Sequence, residues 1–217
     1  CNKLDYIIRD ILREYPEETI NSLMNFTSTH DISRAINYFT DENEFNEYAE
    51  WAWDLKNNDL NYLKNKKLSK EEYEKAKEKY KSYLFALYFL PGNVSVFYGD
   101  EVGVDGYGNL LNRKTYPWGM EDKDLLEYFK KLGKDRNNEL FLETAGLKLR
   151  DINSDYFSYE RIGPKDKMLV ITNRSGKEGR ILIPPEYNDE KTKIYTLNKS
   201  TKDIITPYGA IAIKKAC

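Results

Sequence analysis

Two short apolar runs, Ser22–Phe26 and Val94–Tyr98, constrain this chain more than any other feature of it. Each ends abruptly in polar residues: Thr27, Ser28, Thr29, His30 and Asp31 after the first, Gly99, Asp100 and Glu101 after the second. Short continuous apolar runs bounded in this way read as buried strands that deliver polar groups at their C-terminal ends. Between them lies a crossover helix. Ser69 followed by Glu72 is a capping-box signature, and the helix it opens extends to about Leu90, where Pro91-Gly92 ends it.

The flanking segments extend the pattern. Leu4, Ile7, Ile8, Ile11 and Leu12 fall on one face of a helix reaching Glu14, and Tyr15-Pro16 stops it because the residue before proline disfavours helical backbone. A further helix is expected from about Ser33. The stretch 40–68 is polar, dotted with aromatics and rich in Asn, Asp and Glu, and reads as an insertion with some helix. Gly103, Gly106 and Gly108 mark a long irregular loop reaching Trp118, and Leu125–Leu132 restores helical periodicity. From Thr144 the pattern changes to short segments rich in Tyr, Phe, Ile and Val: Phe157–Ile162, Met168–Thr172, Arg180–Ile183, Lys193–Leu197 and Ala210–Ile213. Turn chemistry separates them.

The expected fold class is therefore α/β plus all-β. It would comprise the C-terminal portion of a (β/α)8 TIM barrel, about its last two strands and their helices, followed by an antiparallel β-sandwich domain. The boundary falls near residue 143. A small α/β domain would give a similar string of elements.

Composition excludes several partners. There are 34 Lys and Arg against 36 Asp and Glu, with the signs mixed along the chain, so no basic stripe is available for nucleic acid. The longest apolar runs, such as Tyr83–Pro91, are too short to span a bilayer. The chain opens on Cys1 rather than Met, so its natural N-terminus is expected to have been lost. Cys1 and Cys217 are the only cysteines, which leaves no thiolate metal site or internal disulfide framework. Their terminal placement reads equally as coincidence or as termini added or trimmed. The 18 Tyr suit a sugar-binding cleft, or reflect a proteome rich in Lys, Asn and Ile.

His30-Asp31 is the strongest local signal, since barrel enzymes build their sites at strand C-terminal ends. The pair suits hydrogen bonding to vicinal sugar hydroxyls or a metal with further ligands. On spacing alone, Asp31 as the N-cap of a following helix is the slightly favoured reading. His30 is the only histidine, which excludes a multi-histidine metal site. Asp100 and Glu101 are adjacent; on extended backbone they would point in opposite directions and anchor their loop rather than face one bond together.

Three stretches together resemble a known family. Leu23–Arg34, reading LMNFTSTHDISR, resembles the seventh-strand motif of glycoside hydrolase family 13, the α-amylase family, and is closest to its neopullulanase and cyclomaltodextrinase branch. Leu90–Gly103, reading LPGNVSVFYGDEVG, is similar to the eighth-strand motif, and Asn112–Trp118, reading NRKTYPW, to the loop that follows it. The resemblance implies retaining hydrolysis of α-1,4 or α-1,6 glucosidic bonds. It casts Asp31 as the transition-state stabiliser and His30 as the histidine beside it, both holding hydroxyls of the glucose at the cleavage site. Arg113 would reach a sugar further along the glycone side, and Asn109 stands where the family often has an aspartate. Lys114 replaces a second Arg, losing a planar bidentate donor. Asp100 and Glu101 would be structural at the barrel rim.

The same resemblance places an Asp nucleophile on the fourth strand and a Glu acid–base on the fifth, and neither motif occurs in these residues. Retaining chemistry needs two carboxyl groups about 5 Å apart, so this stretch alone is expected to be inactive. The expected partners are an α-glucan oligosaccharide and either the missing N-terminal barrel portion or a second copy to cover open sheet edges. No cofactor is expected; calcium suits the parent enzyme, with no site identified in these residues. Two alternatives use the same sequence differently: a non-catalytic glucan-binding module displaying Tyr156, Tyr159, Tyr187 and Tyr195, or an amylase-like structural partner of another protein.

Overall fold

The computed structural model describes residues 2–40, 57–108 and 110–216. The chain forms two compact units. The first takes in the residues up to Asn25, Lys81–Val94 and the chain from Lys131 onward; the second takes in Phe26–Tyr80 and Ser95–Lys130. The chain therefore passes from one unit to the other four times.

In the first unit, helices α1 (Asn2–Glu14) and α2 (Glu17–Asn21) precede the β region. Strands β3 (Gly146–Ile152), β4 (Tyr156–Ile162), β5 (Asp166–Asn173), β7 (Lys193–Leu197) and β9 (Ala210–Ala216) form an antiparallel sheet of order β3-β4-β5-β9-β7. The register sets Tyr159 opposite Val170, Leu169 opposite Ile213, and Tyr195 opposite Ala212. A second sheet pairs β6 (Gly179–Arg180) with β8 (Ile204–Ile205). Leu169, Ile171, Ile211 and Ile213 share one face of the large sheet, as strand alternation requires. They form a core with Ile205, Tyr187, Ile181 and Ile183. The opposite face, with Met168, Val170, Ala210 and Ala212, is also buried.

Helix α4 (Lys70–Phe89) covers that face through its C-terminal half. The Tyr159 hydroxyl donates to the Ala86 carbonyl at 2.6 Å, Ser82 Oγ donates to the Asn173 carbonyl at 3.1 Å, and the Phe89 and Tyr195 rings lie 5.6 Å apart. A helix end leaves carbonyls without partners, and two arginines take them. Arg136 donates to the carbonyls of Tyr88, Leu90 and Gly92, and the fully buried Arg161 donates to those of Phe89, Leu142 and Ala145. Burial, aided by the charge of Arg136, pulls the Arg161 pKa down to about 10.

Strands β1 (Met24–Phe26) and β2 (Asn93–Ser95) begin in the first unit and end in the second. Asn93 N donates to Leu23 O at 2.7 Å and Thr27 N to Ser95 O at 3.1 Å, so the bonds advance together along both strands, as in a parallel pair. Gly92 precedes β2 at φ +90°, and a Cβ there would lie 2.5 Å from Leu23 O. These strands are not the buried ones expected from the sequence. Met24 is 59 % and Phe26 48 % exposed, because among the described residues β1 and β2 pair only with each other.

The second unit contains helix α3 (Asn57–Asn65), the first half of α4 (Lys70–Phe89) and the start of α5 (Lys123–Asn137). The capping box forms as expected: Ser69 N donates to Glu72 Oε2 at 2.7 Å, and Glu72 N to Ser69 Oγ at 3.2 Å. Asp122 starts α5 by accepting from Leu125 N at 3.0 Å, and its other oxygen accepts from the Tyr73 hydroxyl and Lys77 Nζ. Tyr80 stacks on Phe39 and meets Phe129 edge-on. The helix expected from Ser33 is a 3-10 turn, Ala35–Phe39. Most of the insertion assigned to 40–68, together with Cys1 and Cys217, lies outside the described residues; the part that is described includes α3. Among the described residues no helix is long and apolar enough to cross a membrane.

Candidate functional site

Beyond β1 the chain enters a polar bracket. The hydroxyls of Thr27 and Ser28 each donate to Asp100 Oδ2 at 2.6 Å, and Arg34 Nη1 lies 3.3 Å from Asp100 Oδ1. Asp100 sits in the 3-10 turn Asp100–Val102 rather than on extended backbone, and its side chain is buried while Glu101 accepts from Gly99 N at 2.7 Å. Burial raises the Asp100 pKa. The hydrogen bonds from Ser28 and Thr27 and the Arg34 charge pull the other way, yet the carboxyl stays above its ordinary value.

Arg34 is fully buried and ties four segments together. Its backbone N donates to Gly106 O at 2.7 Å, its Nε to Asn112 O at 2.7 Å, and its Nη1 to Tyr98 O. Its guanidinium also lies over the Phe97 ring, 4.1 Å from the centroid, a cation–π contact. The loop around Gly106 closes against this frame: Gly106 N donates to Asn37 Oδ1 and Gly108 N to Ser33 Oγ. A Cβ on Gly106 would lie 2.7 Å from Leu111 O, so the approach needs glycine.

On top of this frame sit His30 and Asp31, with side chains 63 % and 62 % exposed and Nε2 3.2 Å from Oδ2. Asp31 does not cap a helix. The following element is the 3-10 turn from Ala35, its N-cap residue is Arg34, and no side-chain cap bond forms there. Arg113 joins the pair: Nη2 is 3.5 Å from Asp31 Oδ1, and Nε donates to His30 O at 3.2 Å. The guanidinium is thus held at the turn in this arrangement. Asn109, the fourth candidate, lies outside the described residues.

The structure therefore brings together three of the four candidate residues. Sequence reasoning passed over Arg34 and Asn112, both present inside the matched motifs but given no role there. A carboxylate flanked by an imidazole and a guanidinium offers acceptors and planar donors at one exposed spot, which suits vicinal hydroxyls. A cleft of about 420 Å³ in the same unit, lined by Tyr73, Asp105, Lys114, Glu121 and Asp122 among others, includes neither His30 nor Asp31. Among the described residues no group of three or more His, Cys, Asp or Glu side chains is placed to hold a metal ion.

No family model matches the chain. Known proteins do. An amylopullulanase of Thermoanaerobacterium thermosulfurigenes is 28 % identical over 218 residues, an alignment covering 94 % of this chain and 10 % of that protein. Among solved structures, a cyclomaltodextrinase superposes with a TM-score of 0.66 at 20 % identity, over 95 % of this chain and 32 % of that one. A Nostoc punctiforme debranching enzyme soaked with acarbose gives 0.67 at 15 % identity, over 99 % of this chain and 38 % of that one. The chain spans only 10 to 21 % of the length of the curated relatives it matches. The fold is accordingly that of a partial (β/α)8 barrel with an appended β-sandwich.

Proposed function

Because the chain is similar to part of an amylopullulanase, an intracellular maltogenic amylase and a cyclomaltodextrinase, we propose that it forms the C-terminal part of a retaining hydrolase of α-glucosidic bonds. Its substrates would be starch-derived oligosaccharides, cyclodextrins or pullulan. The observation that carries this reading is the exposed His30–Asp31–Arg113 cluster standing on a buried polar frame at the end of β1. A rigid frame beneath an exposed polar cluster is what positions groups toward developing charge.

In this reading Asp31 stabilises the transition state. As the glucose ring flattens toward an oxocarbenium ion its hydroxyls tighten against the carboxylate, so the contact strengthens where the barrier is highest. His30 donates to a neighbouring hydroxyl. Arg113 orients Asp31 in the free site and reaches a sugar on the glycone side, where Asn109 would join it. The nucleophilic Asp and the acid–base Glu come from sequence outside these residues. The barrel portion gives way to the sandwich near residue 143, between the 3-10 turn Leu140–Glu143 and β3. The exposed Met24 and Phe26 are covered by the remaining barrel strands or by a second copy.

The test is an assay of the full-length protein on maltotriose, pullulan and cyclodextrin, with Asp31→Asn beside the wild type. The expected result is release of glucose or maltose by the wild type and a fall in kcat of at least about a hundredfold in the variant. Absence of hydrolysis on all three substrates, or an unchanged kcat in the variant, sinks the reading.

A further inference from the structure

His30, Asp31 and Arg113 are exposed, and what fixes them lies underneath. Asn112 is 0 % exposed. Its carboxamide nitrogen donates to two main-chain carbonyls, Thr29 O at 3.1 Å and Ile32 O at 2.5 Å. His30 and Asp31 are the residues lying between those two carbonyls. The carbonyl of Asn112 itself is gripped at 2.7 Å by Nε of Arg34, which is anchored in turn on Asp100 and the Tyr98 carbonyl. The next residue, Arg113, takes the carbonyl of His30. Two consecutive residues thus hold the carbonyls of positions 29, 30 and 32.

We propose that Asn112 is a positioning residue for α-glucan cleavage: its amide staples both ends of the Thr29–Ile32 turn and so sets the direction in which the Asp31 carboxylate and the His30 imidazole face the sugar. This rests on the reading of the site given above. The chemistry required is specific. Only a side chain with two protons on one atom can serve both carbonyls at once, and Asn is the shortest that does so with no charge to desolvate. The reverse amide orientation would set oxygen against oxygen at both contacts, so the donor side is fixed even though Oδ1 has no partner among the described residues. An aspartate of the same shape sets one carboxylate oxygen against both carbonyls.

The test uses the full-length protein. Asn112→Asp is expected to lower kcat at least tenfold while KM on maltotriose stays within about threefold. That split marks an interaction made in the transition state rather than in uniform binding, and a purely structural role would not produce it in protein assayed below its melting temperature. Should Asn112→Asp fail to fold, crystal structures of the wild type with and without acarbose decide. The staple holds if both amide bonds persist and the Thr29–Ile32 turn keeps its conformation; it is overturned if the sugar is bound with those bonds broken. Wild-type hydrolysis together with a kcat within twofold for Asn112→Asp overturns the staple alone. A wild type that cleaves no α-glucan overturns the site reading on which it stands.

Discussion

Arg34 and Asp100 form the innermost ion pair of the second unit, both side chains wholly buried. Replacing Arg34 with Met would leave Asp100 as an uncompensated buried carboxylate, a change that costs about 3–5 kcal/mol, and urea denaturation should show a correspondingly lower midpoint. The sign of the pH response is also fixed. The folded Asp100 carboxyl keeps its proton to higher pH than the unfolded chain does. Its contribution is therefore fully present below the usual carboxylate range and is lost as pH rises through the folded value. The Asp100→Asn variant should lose that component in denaturation curves recorded between acid and neutral pH. The placement of His30 and Asp31 just past a strand end was legible in the sequence because the apolar run stops there. Asn112 was not, because its partners stand 80 and 83 positions away and nothing local distinguishes a stapling amide from a loop asparagine. The cap reading of Asp31 failed for a backbone reason: the next helical element is the 3-10 turn from Ala35, and its N-cap position falls on Arg34.

Elements with local signals were foreseen closely. The Ser69–Glu72 box predicted the start of α4 because both of its hydrogen bonds lie within one turn. Ser69→Ala should cost about 1 kcal/mol and lower the melting temperature by roughly 2–4 °C for a domain of this size, measurable by calorimetry. Lys193–Leu197 was read at the bounds that β7 occupies, since turn residues flank it. Strand β3 was not read at all. Lys148, Arg150 and Asp151 give it a polar outer row, and as an edge strand with one neighbour it needs little apolar content. Burial of β1 was misjudged for the converse reason: an apolar run reports what a strand requires of its surroundings, and the described residues supply only half of them.

At the scale of the whole molecule, two of the buried carboxylates, Glu139 and Glu160, make the folded state sensitive to acid. Glu139 accepts from Lys193 and Tyr195 and pairs with Lys214, and Glu160 accepts from Arg150 and the Tyr187 hydroxyl. Burial works to raise both pKa values, but these donors outweigh it and hold both below the ordinary glutamate value. A depressed folded pKa contributes stability above the unfolded value that is lost as pH falls through the folded one. Melting temperatures should therefore drop on acidification below about pH 4.5, and the double variant Glu139→Gln, Glu160→Gln should flatten that slope.

The hydrogen bonds of Arg161 bear on how such a chain can be recombined. This residue of β4 is wired to carbonyls of Phe89 and Leu142, both upstream of the point where helices give way to strands. A chimera spliced at 143 would import Arg161 with its Ala145 acceptor but without those of Phe89 and Leu142, and a charge poorly compensated in a core costs several kcal/mol. Viable crossovers should instead carry the end of α4 along with the sandwich, so heredity at this junction would travel as a helix terminus plus its sheet rather than as a detachable tail.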